Sequence, residues 1–103
     1  MPGRKHSFDE LLSALADGTR RGVVRYFERS GDDVATVEDL AAALPSDGSG
    51  GTARRLHHVA LPKLARAGIV EYDPATRAAR YRGDELREPV RELLVEVRAA
   101  VSA

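Results

Sequence analysis

The chain has no cysteine, which excludes disulfides, thiolate zinc sites, iron–sulfur clusters and a cysteine nucleophile. It has no net charge either, since sixteen Lys and Arg offset sixteen Asp and Glu, so the overall balance points to no partner. No apolar run approaches the roughly 20 residues a membrane-spanning helix needs, and residues 1–8 lack the apolar stretch of a signal peptide. A cytoplasmic protein with no membrane association is the expectation. Catalytic arrangements are missing as well. No Ser/His/Asp set or carboxylate pair stands out, and Asp32 and Asp33, beside Gly31, read as turn residues. The Gly/Ser-rich stretch Ser46-Asp-Gly-Ser-Gly-Gly51 lacks the Gly-Lys-Ser/Thr ending of a phosphate-binding loop and follows no strand. The reading is therefore a protein that is not an enzyme and carries no cofactor.

What is present is one domain's worth of core. At 103 residues, 43% hydrophobic and 31% charged, the chain is long enough for a single hydrophobic core and too short for a second, catalytic domain. Its zero net charge conceals a segmental pattern. Residues 28–53 carry Arg29 against six acids, whereas residues 54–82 carry seven Lys and Arg against only Glu71 and Asp73. A segment this basic asks for an anionic partner.

Periodicity and caps give the elements. Ser7 and Glu10 form a Ser-x-x-Glu capping box ahead of Phe8, Leu11, Leu12 and Leu15, which share one helical face. That helix stops near Asp17-Gly18. Asp17 or Thr19 caps a second helix running to about Ser30, with Val23, Val24 and Phe27 inward and Gly31 at its end. Val34-Ala35 is no more than a stub of strand. Thr36 and Asp39 suit another N-terminus, for a short helix carrying Val37, Leu40, Ala41 and Leu44 and closed by Pro45. After the turn at 45–51, Thr52 caps a helix reaching Ala67, with Leu56, Val59, Ala60, Leu61, Leu64 and Ala67 as its core stripe and Gly68 as its stop. Pro62 interrupts this helix. It removes one donor and crowds the His58 carbonyl, a cost of about 3 kcal/mol in a regular helix, so a kink or a locally widened turn is expected. Ile69–Asp73 and Ala78–Arg82 read as two strands joined by a type I turn at Asp73-Pro74-Ala75-Thr76. Leu86, Val90, Leu93, Leu94, Val97 and Val101 stripe a last helix that begins at about Glu88, behind Pro89.

The fold class that follows is mainly α with a small β-hairpin. Three helices and then a hairpin is the layout of a winged helix-turn-helix, here with an added C-terminal helix. Particular residues carry the likeness further. Leu15-Ala-Asp-Gly-Thr-Arg-Arg21 resembles the L-A-D-P-T-R-R opening of the arsenic-repressor (ArsR-like) winged-helix family, with Gly18 in place of its proline. Leu61-Pro-Lys-Leu-Ala-Arg-Ala-Gly-Ile-Val-Glu-Tyr-Asp73 resembles that family's L-x-x-L-x-x-A-G-L-V passage from recognition helix to wing, and Arg80-Tyr81 falls where its second wing strand ends. Leu56-His-His-Val-Ala-Leu-Pro-Lys-Leu64 is most similar to an uncharacterised winged-helix domain common in halophilic archaea. The resemblance covers about residues 8–82. It implies a transcription regulator that acts as a homodimer on double-stranded DNA. The missing cysteine removes the metal-sensing role many relatives have, and the balanced charge differs from the acidic proteins of halophiles, so the source stays open.

The domain map is then a flexible N-terminus at 1–6, the winged helix-turn-helix domain at 7–83 and a dimerisation helix at 84–103. Candidate DNA-binding residues are Thr52, Arg54, Arg55 and His58 on the recognition helix, with His57 at its border and Lys63 and Arg66 further along on phosphates. Arg77 at the wing tip is a backbone or minor-groove contact. Arg80 and Arg82 either join it or pair with Glu71 or Asp73 across the hairpin. Arg20 and Arg21 either touch a phosphate or pair with Asp17 or the acidic segment. His57 and His58 are adjacent and so face different directions, which argues against a metal pair. The stripe Leu86, Val90, Leu93, Leu94, Val97 and Val101 packs on its own domain or, the preferred reading, forms a dimer seam. The competing functions are a winged helix used for protein–protein contact and a non-specific architectural DNA-binding protein.

Overall fold

The computed structural model describes residues 8–45 and 50–83, together with residues 92, 95 and 99–101. It is mostly helical, with one small antiparallel sheet. Helix α1 (Phe8–Ala14) meets α2 (Gly18–Ser30) at a tight corner, where the Asp17 side chain accepts from the Arg20 backbone N–H at 3.1 Å, so Asp17 and not Thr19 is the cap. Gly31 ends α2 in the left-handed conformation, φ 74°, which a side chain adopts only with strain. Strand β1 (Val34–Thr36) runs into α3 (Val37–Ala43) through a complete capping box. Thr36 Oγ1 accepts from the Asp39 N–H, and Asp39 Oδ2 accepts from the Thr36 N–H. The shorter Asp thus reaches as well as the Glu or Gln this motif favours.

The next helix is continuous but changes pitch. It opens as α4 (Thr52–Arg55), passes through a π-helical turn (Leu56–Ala60) and closes as α5 (Leu61–Arg66). Gly51 occupies the capping position with no side-chain hydrogen bond, so Thr52 is the first helical residue and not the cap that its hydroxyl suggested. The widened turn answers Pro62. The Leu61 N–H donates to the Leu56 carbonyl, five residues back, and the looser coil just before the proline relieves the crowding its ring brings to the His58 carbonyl. In a regular α-helix Leu56 and Leu61 would point about 140° apart. The π turn reduces this angle, and Leu56, Ala60, Leu61 and Leu64 are all buried in one core. Val59, inside the π turn, is 44% exposed, which corrects its assignment to the core stripe. In α1 the correction is similar, because Leu11 and Ala14 take the buried face while Leu12 is exposed.

Ala67 and Gly68 (φ 79°) stop α5. The Gly68 N–H donates to the Ala65 carbonyl and the Ile69 N–H reaches back to the Leu64 carbonyl. Strands β2 (Val70–Asp73) and β3 (Ala78–Tyr81) form the hairpin, and β1 adds to the far side of β3, so the sheet is three-stranded in the order β1-β3-β2. The expected stub and hairpin are therefore one sheet. Ala35 pairs with Ala79 at its centre, and both are buried. The hairpin closes one residue later than a type I turn over 73–76 requires, because it is the Arg77 N–H that donates to the Asp73 carbonyl, at 2.8 Å, with Arg77 at φ 60°. The inner sheet face meets the helices in a core that includes Val23, Phe27, Val37, Leu40, Leu64 and Ile69. Each such side chain contributes about 1.5–3 kcal/mol by leaving water. Gly22 is buried where α2 meets the end of α3, and a Cβ there would lie 2.6 Å from Leu44 Cδ2.

Among the described residues no helix is long and apolar enough to cross a membrane. Of the expected dimer stripe, Leu86, Val90, Leu93, Leu94 and Val97 lie outside the described residues. Val101 is helical and 80% exposed.

Candidate functional site

The solvent face of residues 52–66 is built from spacings of four. Arg54, His58, Pro62 and Arg66 form one row, and Arg55, Val59 and Lys63 form the next. Arg54, Arg55, His58, Lys63 and Arg66 are exposed, while Thr52 is half-buried at the start of the helix. No acidic residue occurs between Asp47 and Glu71. The side chains of Arg54, Arg55, Lys63 and Arg66 have no hydrogen-bond or ion-pair partner among the described residues. Lys63 and Arg66 also border an open cleft of about 350 Å³ whose far wall is Asp9, Glu10 and Ser13 of α1. The two rows make a continuous basic strip whose opposite side, through Leu56, Ala60, Leu61 and Leu64, is anchored in the core.

His57 belongs to that anchor. It is half-buried, with Nδ1 2.5 Å from the Tyr72 hydroxyl and the two rings edge-on at 5.9 Å. Nδ1 and the hydroxyl share one hydrogen bond, whose donor is set by the tautomer of the ring. Burial raises the Tyr72 pKa above the usual phenol value, which keeps the hydroxyl protonated. This hydrogen bond ties the helix to β2 and takes His57 away from the contact surface on which it was expected. The His58 ring lies 4.6 Å from that of His57 but points into solvent. Among the described residues no three His, Asp or Glu side chains gather where they could hold a metal.

The sheet contributes less positive charge than its sequence suggests. Arg77, expected at the tip as a free contact, turns back to α3. Its Nε and Nη2 both lie 3.1 Å from Glu38 Oε2, and its carbonyl accepts from the Val37 N–H at 2.9 Å. The left-handed backbone at Arg77 produces this reversal by folding the chain from the hairpin tip towards the start of α3. Arg82 pairs with Glu71 across the sheet edge. Arg80 stands opposite Glu71 and Val34 in the register, is exposed, and has no hydrogen-bond or ion-pair partner among the described residues. Of these three arginines, it is the one whose side chain stays uncommitted among the described residues.

Arg20 and Arg21 do something that neither sequence reading proposed. Arg20 Nε donates to the Ala14 carbonyl at 2.7 Å and its Nη2 to the Ser13 carbonyl at 3.3 Å, while Arg21 Nη1 donates to the Leu15 carbonyl at 3.0 Å. They close the C-terminal end of α1, which has no basic residue of its own in its last turn, where cations and donors are favoured. Sequence reasoning also missed Tyr81. Its ring stacks on Phe27 at 5.1 Å and its hydroxyl donates to Glu28 Oε2 at 2.6 Å. The apolar–polar alternation of β3 placed Tyr81 on the inner sheet face, but its partners sit on a helix far away in the chain.

Residues 12–80 match a protein family described as Domain of unknown function (DUF7344). The matched segment runs from α1 to the end of β3 and contains the whole basic strip. No curated protein matches the chain, and no solved structure matches it.

Proposed function

Because the chain belongs to the DUF7344 family, whose description assigns it no activity, its own residues must carry the argument, and we propose that it is a DNA-binding transcriptional regulator of winged helix-turn-helix type. The helix from Thr52 to Arg66 enters the major groove, and the sheet lies beside it on the backbone through Arg80. The observation that carries this reading is the acid-free strip of four cations, with no side-chain partner among the described residues, on a helix whose other face is locked into the core. Duplex affinity comes largely from phosphates neutralised by Lys and Arg, and an anchored helix holds those cations in the register that base reading requires. Arg54 and Arg55 lie on adjacent rows, so one is turned to a base edge while the other holds a phosphate. The likeness of Leu15–Arg21 and Leu61–Asp73 to the ArsR-like family supports the same reading, as does the order of elements. The protein acts as a homodimer through residues 84–103, in the cytoplasm, and needs neither metal nor cofactor.

Docking to another protein through the acidic segment is the weaker alternative. Glu28 is bound to Tyr81, Glu38 to Arg77, and Asp39 to the Thr36 backbone, so three of the six acids of that segment are committed within the domain.

The test is enrichment from a pool of genomic duplex fragments by the wild type and by Arg54→Ala/Arg55→Ala. A subset enriched by the wild type and lost in the folded double variant is the expected result. Equal recovery of every fragment would make the protein architectural, and no recovery at any salt would overturn DNA binding.

A further inference from the structure

An exposed valine sits in the middle of the basic strip. Val59 follows Arg55 and precedes Lys63 in one row of the helix, and is flanked by His58 of the other. It lies within the π turn and faces solvent while Leu56 and Ala60 stay buried. On a helix whose other exposed positions from Arg54 to Arg66 are all Arg, Lys or His, it is the aliphatic side chain that water reaches most freely.

Once the flanking cations hold phosphates, Val59 faces the floor of the groove. That floor presents donors and acceptors on every base pair and one apolar group, the 5-methyl of thymine. Against any other base edge the valine would strip water from polar atoms and offer them nothing in return. We propose that Val59 is a specificity-determining residue that selects thymine by packing on its 5-methyl group. This rests on the DNA-binding reading above and deepens it, by adding a methyl-reading position to the arginine contacts.

The experiment uses the full chain and a pool of duplexes with a randomised centre. Duplexes enriched by the wild type are resynthesised with deoxyuridine replacing thymidine at one position at a time, which removes the methyl group and leaves the hydrogen-bonding edge unchanged. At one thymine in each half-site the wild type should lose about three- to tenfold in affinity, the scale of one buried methyl group. Val59→Ala, shown to be folded by circular dichroism, should bind both forms alike and close to the wild type's affinity for the deoxyuridine duplex. Equal wild-type affinity for both forms at every thymine would overturn the inference while leaving DNA binding intact. So would a thymine preference at the same position that survives in Val59→Ala. Failure of the wild type to enrich any duplex would overturn the DNA-binding reading itself.

Discussion

Two tyrosines bind the sheet to the helices, and each does so through a hydroxyl that the fold keeps protonated. Tyr72 holds His57, and Tyr81 holds Glu28 while stacking on Phe27. The Tyr81 pKa is raised, first by burial and then by the hydrogen bond and the charge of Glu28; for Tyr72 burial is again the leading cause. A phenol whose folded pKa lies above its unfolded value of about 10 stabilises the fold fully below that pH and ceases to do so as pH rises through the folded value. Urea unfolding measured across the alkaline range should therefore show stability constant up to about pH 10 and falling above it. Tyr81→Phe should flatten part of that fall, and an equally steep fall in the variant would remove Tyr81 from the account. The same scale explains the Leu15–Arg21 sequence. Asp17 caps α2, and Arg20 and Arg21 close α1, so the motif that carries the family likeness is a device for turning one helix into the next.

Among the elements, the caps other than the one expected at Thr52 were legible in the sequence, and helical phase was not. Gly31, Gly68 and the Thr36–Asp39 pair are local signals whose partners lie within a few residues, and each acts where the sequence put it. The pairing of β1 was hidden because Val34–Thr36 finds its partner, β3, on the far side of two helices and a hairpin turn. Val59 was misassigned for a different reason. Counting at 100° per residue assumes an α-helix, and Pro62 announced a break without saying which kind. The π turn has a consequence that can be measured. Deleting Val59 would return Leu56 and Leu61 to i→i+4 spacing and so to a regular α-helix, in which Pro62 clashes with the carbonyl four residues back. The deletion should cost about 3 kcal/mol with proline present and much less when combined with Pro62→Ala. Equal costs in the two backgrounds, read by chemical denaturation, would show that the proline does not require the π turn.

For the molecule as a whole, the position of its cations matters more than their number. The sequence showed seven Lys and Arg over 54–82, and the type and spacing of Arg54, Arg55, Lys63 and Arg66 were enough to find the strip. The internal pairing of Arg77 with Glu38 and of Arg82 with Glu71 was not legible, because each pair joins residues from different elements. What remains is a basic surface on one helix, with Arg80 exposed on the sheet. On the assembly side, truncation before Leu86 should convert dimers into monomers in size analysis, and a dimer that survives would move the seam elsewhere on the domain. In the proposed DNA-binding mode the helix strip, and not the hairpin tip, meets phosphate. The slope of log affinity against log salt tests it most directly, for the wild type, Arg54→Ala/Arg55→Ala and Arg77→Ala on one enriched duplex. Each lost phosphate contact reduces the slope by about 0.9, so the double variant, which loses the one phosphate-holding arginine of the pair, should be shallower by about one unit per protomer and Arg77→Ala should match the wild type. Equal slopes for the wild type and the double variant, or a loss confined to Arg77→Ala, would contradict the account.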